Sequence, residues 1–188
     1  MSRNCYICVD VEAAGPNPHD YALLSIGAAT LDQPRRSFYA ELQPTSMQET
    51  EEAARVHGLS LAKLAQTGEP SKEALQRFEA WLDEVRAEDQ ALTFVAFNAP
   101  FDWMFINDYF LRFLGRNPFG HRALDMKALY MGLRGVPWLE TSHANVSRDY
   151  AMPEALPHHA EEDALATAEL FSRMLQELQA RHPHLLED

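Results

Sequence analysis

Two acidic side chains stand close together in the first apolar segment of the chain, Val9-Asp10-Val11-Glu12. The apolar residues before it are typical of a buried strand, in which residues two apart project to the same side. Asp10 and Glu12 would then leave the sheet together. Carboxylates are seldom buried without a compensating positive charge, and a divalent cation is a natural partner for such a pair. Alternatively, the strand ends here and both acids face water.

A third acid, Asp102, lies where a second apolar element begins. Pro100 suits the first turn of a helix, and Asp102 falls in that same turn. The positive end of a helix dipole favours a carboxylate at this position. Asp102 therefore either only stabilises the start of the helix or also contributes to a site.

The segment from His158 to Asp163 combines two histidines with three acids. His158 follows a proline in a loop, and Asp163 lies about one turn into the last predicted helix. The two side chains can therefore face one cleft from different distances. Glu161 and Glu162 are typical of a solvated, acidic helix start, which is the alternative interpretation of the whole segment.

Four carboxylates from three elements, with one histidine, match the requirements of two-metal phosphodiester hydrolysis. Hard oxygen ligands select Mg²⁺ or Mn²⁺. Two such ions roughly 4 Å apart can activate a water molecule and stabilise the departing oxygen. A histidine that titrates near neutrality can accept the proton of that water. The sequence therefore predicts one metal-dependent site, formed by Asp10, Glu12, Asp102, His158 and Asp163.

Apolar runs predict the strands that must position this site. Three strands are expected over residues 4–11, 21–31 and 37–42, and their short connections favour an antiparallel meander. A fourth strand over residues 92–97 follows a helix, so we expect it to run parallel to the first strand.

Helical spacing and capping residues predict the remaining elements. Ser71 is a candidate cap for an amphipathic helix that runs to about Glu88, and Asp125 is better explained as a cap than as a ligand. The pattern over residues 132–157 is irregular, and the carboxyl-terminal tail is expected to fray. Helices are expected over residues 49–56, 60–66, 71–88, 101–114 (buried nearly all round), 125–131 and 159–180.

Length and composition suit one domain over residues 1–188, since 46% of the 188 residues are hydrophobic. No apolar stretch is long enough to span a membrane, and the amino terminus does not resemble a signal peptide, so we expect a cytoplasmic protein that makes no membrane contact. The formal charge of −12 argues against broad non-specific binding of duplexes, which depends on a basic surface.

The two cysteines, Cys5 and Cys8, have a C-x-x-C spacing that invites a zinc or redox interpretation. Zinc would need a second pair of ligands, and a redox pair belongs at a helix start. Residues three apart in a strand face opposite sides. We therefore expect both cysteines to pack in the core.

Three spaced motifs carry a resemblance to a known family: Asp10-x-Glu12, Asn98-x-x-Phe101-Asp102 and His158-x4-Asp163. Their order and spacing resemble the DEDDh 3′–5′ exonucleases, which include polymerase proofreading subunits, oligoribonuclease and ribonuclease T. Residues 23–28 resemble the second strand of that family, and His57-Gly58-Leu59 resembles its His-Gly-Ile/Leu element. Residues 116–119 resemble ribonuclease T in particular.

The resemblance implies a role for each acid. Asp10 would bridge both metal ions. Glu12 and Asp163 would hold the ion that activates water, with Glu12 also near the 3′-terminal sugar. Asp102 would support the second ion directly or through water.

The resemblance also implies that His158 is the general base. His159 competes for this role, but it lies four residues before Asp163, whereas the family spacing is five.

Further positions fall where the family contacts the terminal nucleotide. Phe97 departs from the family pattern, because many members have histidine there, and it could form a pocket wall or a stacking face. Trp103 and Trp138 are also candidate stacking groups, although core packing is the better explanation for Trp103. The implied substrate-binding residues are Ala13, Ala14, Ser25, Asn98 and Phe101.

As a whole, the resemblance implies an α/β, ribonuclease H-like fold with a mixed five-stranded sheet, three antiparallel strands first, and helices on both faces. It implies hydrolysis of single-stranded RNA or DNA, or of short oligonucleotides, from the 3′ end with release of nucleoside 5′-monophosphates. Two alternatives remain: a non-catalytic nucleic-acid-binding adaptor, and a hydrolase of dinucleotides or other small phosphodiesters. Ribonuclease T-like relatives dimerise, which leaves a homodimer open.

Overall fold

A five-stranded mixed sheet forms the centre of the computed structural model, which describes residues 4–154 and 157–186. The strand order is β3-β2-β1-β4-β5. The first three strands pair antiparallel, and β4 and β5 run parallel to β1. The predicted mixed sheet with an antiparallel meander first is confirmed. The strands are β1 (Asn4–Ala13), β2 (Leu23–Thr30), β3 (Ser37–Glu41), β4 (Ala91–Ala96) and β5 (Ala123–Asp125).

Seven helices accompany the sheet within the described ranges. They are α1 (Glu51–His57), α2 (Leu61–Thr67), α3 (Ser71–Val85), α4 (Ala99–Leu114), α5 (Met126–Arg134), α6 (His143–Asp149) and α7 (Ala160–Arg181), with 3₁₀ turns at Trp138–Glu140 and Pro183–Leu186. Asp125 caps α5 as predicted, since its Oδ1 atom accepts the N–H of Ala128 at 2.7 Å. Among these helices, none is long and apolar enough to cross a membrane.

Several predicted helical boundaries are wrong. Helix α3 ends at Val85, and Ser71 is its first residue rather than its cap, which is Pro70. The supposedly irregular residues 132–157 contain α6, whose mixed polar sequence gives no clear period but whose first turn is capped by Ser142. In the tail, Pro183–Leu186 form a 3₁₀ turn, and residues 187–188 lie outside the described chain, so fraying of the last residues stays a prediction.

Helix α4 is less enclosed than its apolar sequence suggested. It packs on the sheet and on α3 through one side, and Leu111 on the other side is 51% exposed. Trp103 lies on the packed side, edge-on to Phe94 at 5.3 Å between ring centroids. Core packing is therefore the correct interpretation of Trp103.

The two faces of the sheet bury separate cores. Ile7, Val9 and Val11 pack with α3 and α4, whereas Cys8 packs with α5, α6 and α7. Cys5 is buried with the first group, so the two cysteines face opposite sides as predicted. Because side chains alternate along a strand, the even-numbered acids of β1 continue the row that begins with Cys8, on the face covered by α7.

A glycine on β2 allows α7 to approach this row closely. Gly27 pairs with Asp10 in the β1–β2 register. A Cβ atom at Gly27 would lie 1.9 Å from the carbonyl oxygen of Ala160. The first turn of α7 therefore rests directly on the strand next to Asp10, which brings Asp163 towards the acids of β1.

Candidate active site

The five predicted catalytic residues line one open pocket of about 520 Å³. It lies at the carboxyl ends of β1 and β4, where the parallel strands give way to loops and helices. Strand β1 contributes Asp10 and Glu12, and the start of α4 contributes Asp102. The loop before α7 contributes His158, and α7 contributes Asp163. The sequence thus identified residues from four elements that the fold brings together.

Asp102 is fixed to the backbone between the two acids of β1. Its Oδ1 atom accepts the N–H of Val11 at 3.1 Å, and the residue is 5% exposed. Asn98, in the left-handed region at φ 67°, turns the chain from β4 into α4. Asp125 supports this turn, because its Oδ2 atom accepts the N–H of Ala99 at 2.7 Å. One carboxylate therefore caps α5 and also holds the first turn of α4.

Glu12, His158 and Asp163 form the tightest part of the cluster. Each offers one ligand atom, and these atoms lie within 4.8 Å of one another. Asp163 is 2% exposed, and its buried Oδ1 atom has no hydrogen-bond partner in the described part of the chain. A buried oxygen normally has a partner, so Asp163 presents a lone pair to an additional group.

Burial raises the pKa of all four carboxyl groups, and repulsion among them adds to the effect at Asp10, Glu12 and Asp102. For Asp10, the loss of hydration dominates, and Asp102, Asp163 and Glu12 add to it. Burial, reinforced by Asp163, raises the pKa of Glu12 from 4.5 to about 7. Burial also raises the pKa of Asp102 and of Asp163. No Lys or Arg of the described chain lines the pocket. The donor set therefore fits hard divalent cations, which would supply the missing positive charge.

The two neighbouring histidines have different surroundings. His158 is exposed, lines the pocket and adopts a left-handed conformation at φ 57°. Such a backbone is costly for a residue with a Cβ atom, and it often occurs at functional sites. His159 instead stacks on Tyr39, with ring centroids 4.6 Å apart, and does not line the pocket. Of the two candidates, His158 is the one that faces the carboxylates.

The residues expected to contact the terminal nucleotide divide into two groups. Ala13, Asn98 and Phe101 line the pocket. Ala14 does not, because it is fully buried beside α2. Ser25 does not either, because it is 1% exposed and pairs with Glu12 in the register of the sheet. Neither residue lines the pocket, and contact of these last two positions with the terminal nucleotide stays a prediction.

Helix α1 forms a pocket wall that the sequence did not predict. Thr50, Glu52, Ala53 and Val56 line the pocket, together with His57 at the end of the helix. His57 is buried, accepts the N–H of Leu59 through Nδ1 at 2.9 Å, and places Nε2 3.3 Å from Glu49 Oε1. The His57-Gly58-Leu59 element was visible in the sequence, but a seven-residue helix has too little periodicity to indicate which side faces a cleft.

Phe97 also lines the pocket, in agreement with its suggested role as a pocket wall. Its ring meets that of His143 edge-on, with centroids 5.1 Å apart. Phe97 thus connects the pocket wall to the first turn of α6.

Comparison with known proteins gives a consistent picture. Residues 7–171 match the model of the RNase_T family, which is described as an exonuclease family. The chain is 41% identical over 177 residues to a protein of Escherichia coli, 3′–5′ DNA exonuclease Cap18, and the match covers 94% of each chain.

Solved structures share the fold at low sequence identity. The nuclease domain of 3′hExo, a DEDDh family member bound to rAMP, matches with a TM-score of 0.72 at 17% identity, covering 92% of this chain and 91% of that one. A full-length 3′-exonuclease matches with a TM-score of 0.76 at 16% identity, covering 94% and 62%. The zinc-bound E. coli ExoI–ssDNA complex gives 0.70 at 17%, covering 98% and 42%. The chain thus spans less than two thirds of the last two proteins.

Proposed function

Since this chain belongs to the RNase_T exonuclease family and is a 3′–5′ exonuclease, we propose that its pocket uses two divalent metal ions to hydrolyse the terminal phosphodiester of single-stranded nucleic acid. Nucleoside 5′-monophosphates are the products. DNA is the preferred substrate, a choice supported by the 41% identity to a protein named as a DNA exonuclease.

The observation that carries the proposal is the convergence of four carboxylates on one pocket whose described lining lacks a cationic side chain. Asp10 would contact both ions, Glu12 and Asp163 would hold one, and Asp102 would support the other. Mg²⁺ or Mn²⁺ suits these oxygen donors. When bound, such ions polarise the attacking water and stabilise the departing oxygen. The unpartnered Oδ1 atom of Asp163 is suited to this use.

His158 would accept the proton of the attacking water. Its side chain is exposed and lines the pocket, so the imidazole can take a proton there and return it to solvent. General-base catalysis requires this position next to the water, with a pKa near the working pH. The left-handed backbone at His158 directs the ring towards Glu12 and Asp163.

The pocket has room for one terminal nucleotide. Its volume of about 520 Å³ lies within the ordinary range for a small-molecule site. Ala13, Phe101 and Val56 also line the pocket and offer apolar surface for a base or sugar. A pocket that holds a single chain end favours an exonuclease action.

The direct experiment uses 5′-labelled single-stranded DNA and RNA oligomers with Mg²⁺ or Mn²⁺. We expect stepwise shortening from the 3′ end, faster on DNA, and no shortening by Asp163→Asn. Glu88→Gln, an exposed acid outside the pocket, is the matched control and should keep full activity. Loss of DNA cleavage in the control alone, or a fully active Asp163→Asn, would refute the assignment.

A further inference from the structure

A cation–aromatic pair, of which the indole ring is exposed and the lysine is half-buried, lies near the active site. The Nζ atom of Lys127 sits 4.5 Å from the centroid of the Trp138 ring. Trp138 is 46% exposed, and the next residue, Leu139, is 92% exposed. Met131, one helical turn after Lys127, is 39% exposed. Large exposed apolar side chains grouped in this way are typical of a binding surface.

Lys127 differs from the other cations that contact an aromatic ring in this protein. Four cation–aromatic contacts occur among the described residues, and in three of them the cation also forms an ion pair with a carboxylate. Lys127 forms no such ion pair within residues 4–154 and 157–186. An ammonium group over an aromatic ring, without a carboxylate partner, is available to a phosphate.

Lys127 is adjacent to one wall of the pocket. It follows Asp125 by two residues, so their Cα atoms are at most about 7 Å apart. Asp125 in turn accepts the N–H of Ala99, next to the pocket residue Asn98. Asp125 is the last residue of the edge strand β5, and Lys127 is the second residue of α5, which follows directly.

The segment that carries Trp138 returns to the same wall. Thr141 donates its hydroxyl to the carbonyl of Trp138 at 2.7 Å, and Ser142 caps α6. The first residue of that helix, His143, contacts the pocket residue Phe97. The pair is therefore connected, through Asp125 on one side and His143 on the other, to the pocket residues Asn98 and Phe97 at the end of β4.

We propose that Lys127 and Trp138 bind the substrate strand on the 5′ side of the scissile bond, with a phosphate on the ammonium group and a base on the indole ring. This inference rests on the proposed function, which places the 3′-terminal nucleotide in the pocket. Aromatic stacking and phosphate contacts are the usual means of holding single strands without reading their sequence. Because the protein has a formal charge of −12, a phosphate of the strand needs a local cation that no carboxylate neutralises, and Lys127 provides one.

The test is a length series of single-stranded DNA, from the dinucleotide to a dodecamer. For the wild type, kcat/KM should rise with length until the strand reaches Trp138. Trp138→Ala should remove most of that rise, lowering kcat/KM on the dodecamer roughly 5- to 160-fold, since one stacked base contributes that much. The dinucleotide should be cleaved equally by both, and Trp138→Phe should retain most of the rise.

Salt dependence tests the phosphate contact. Lys127→Gln should reduce the slope of log kcat/KM against log salt by about 0.7, the value for one contact to a single strand. Lys72→Gln, an exposed lysine at the start of α3, is the matched control and should leave the slope unchanged.

Three results would overturn the inference. The first is no rise of kcat/KM with length in the wild type, and the second is an equal loss on the dinucleotide and the dodecamer in Trp138→Ala. The third is a Trp138→Ala variant whose cleavage is unchanged at every length but whose oligomeric state, measured by sedimentation, differs from that of the wild type. The last result would assign the surface to a second copy of the chain. If the wild type shortens no oligomer of any length, the proposed function fails instead.

Discussion

The acids of the site and its histidine are held in opposite ways. Glu12, Asp102 and Asp163 are 8%, 5% and 2% exposed, and they project from a strand and two helices. His158 is exposed and belongs to the loop that precedes α7. Metal coordination requires ligands fixed before binding, whereas proton transfer requires access to solvent. The contrast teaches that strands and helices hold the negative charge in place, and that the proposed base belongs to a surface loop.

Loss of an acid should have the largest effect. Asp10→Asn should lower kcat/KM on the order of 10⁴-fold, because a metal-held transition state loses several kcal/mol. The same change should raise the melting temperature of the metal-free protein, because it removes a half-buried carboxyl group that lies next to three others. Calorimetric melting in a chelator measures the second effect. A lowered melting temperature would contradict the picture of an acid cluster without a cation.

Removal of the exposed base should cost less. His158→Ala is expected to lower kcat about 10³-fold, within the usual range for general-base catalysis. Binding of metal should remain, because the four carboxylates are untouched. His159→Ala is the matched control, since its ring stacks on Tyr39 outside the pocket. If His159→Ala proves the less active variant, the assignment of the base is wrong.

The close approach of α7 to β2 should be sensitive to one methyl group. Gly27→Ala places a Cβ atom on the backbone of Ala160. This overpacking should destabilise the fold by about 1–3 kcal/mol and lower kcat/KM by displacing Asp163. Gly132→Ala in α5 is the control, because nothing lies within 4 Å of its added Cβ atom. The control should be neutral or stabilising by up to about 1 kcal/mol, as measured by urea unfolding.

The smallest effect is a pH dependence of stability without metal. The pKa of Glu12 is raised from 4.5 to about 7, so the folded chain binds this proton more tightly than the unfolded chain does. Stability therefore falls as the pH rises through this window. Glu12→Gln should lack this contribution. The melting temperature of the variant minus that of the wild type should therefore increase as the pH rises from 4.5 to 7. A constant difference across the window would contradict the raised pKa.

Much of the acid cluster was predictable, because its signals are local. The alternation along β1 places Asp10 and Glu12 on one face, and Pro100 marks the helix start that carries Asp102. The second bond of Asp125, to Ala99, was not predictable, since it joins residues 26 positions apart. The pocket wall formed by α1 was missed for a different reason. A helix of seven residues is too short for its sequence to show which side is packed.

Trp138 illustrates a different limit. Its neighbours give no period, and the sequence therefore left core packing and stacking open. The structure argues against core packing, because Trp138 is 46% exposed and its ring lies under Lys127, and stacking on a base stays a prediction. Such pairs depend on how a loop returns to a helix, which no local pattern encodes.

The most direct test of the central claim is a calorimetric titration of Mn²⁺ into the wild type, His158→Ala and Asp163→Asn at neutral pH. A rigid carboxylate cradle with a separate base predicts two bound ions in the wild type and in His158→Ala, with turnover lost only in the latter. Asp163→Asn should bind fewer ions or bind them more weakly. Absence of Mn²⁺ binding by the wild type, or two ions bound with unchanged affinity by Asp163→Asn, would contradict the account.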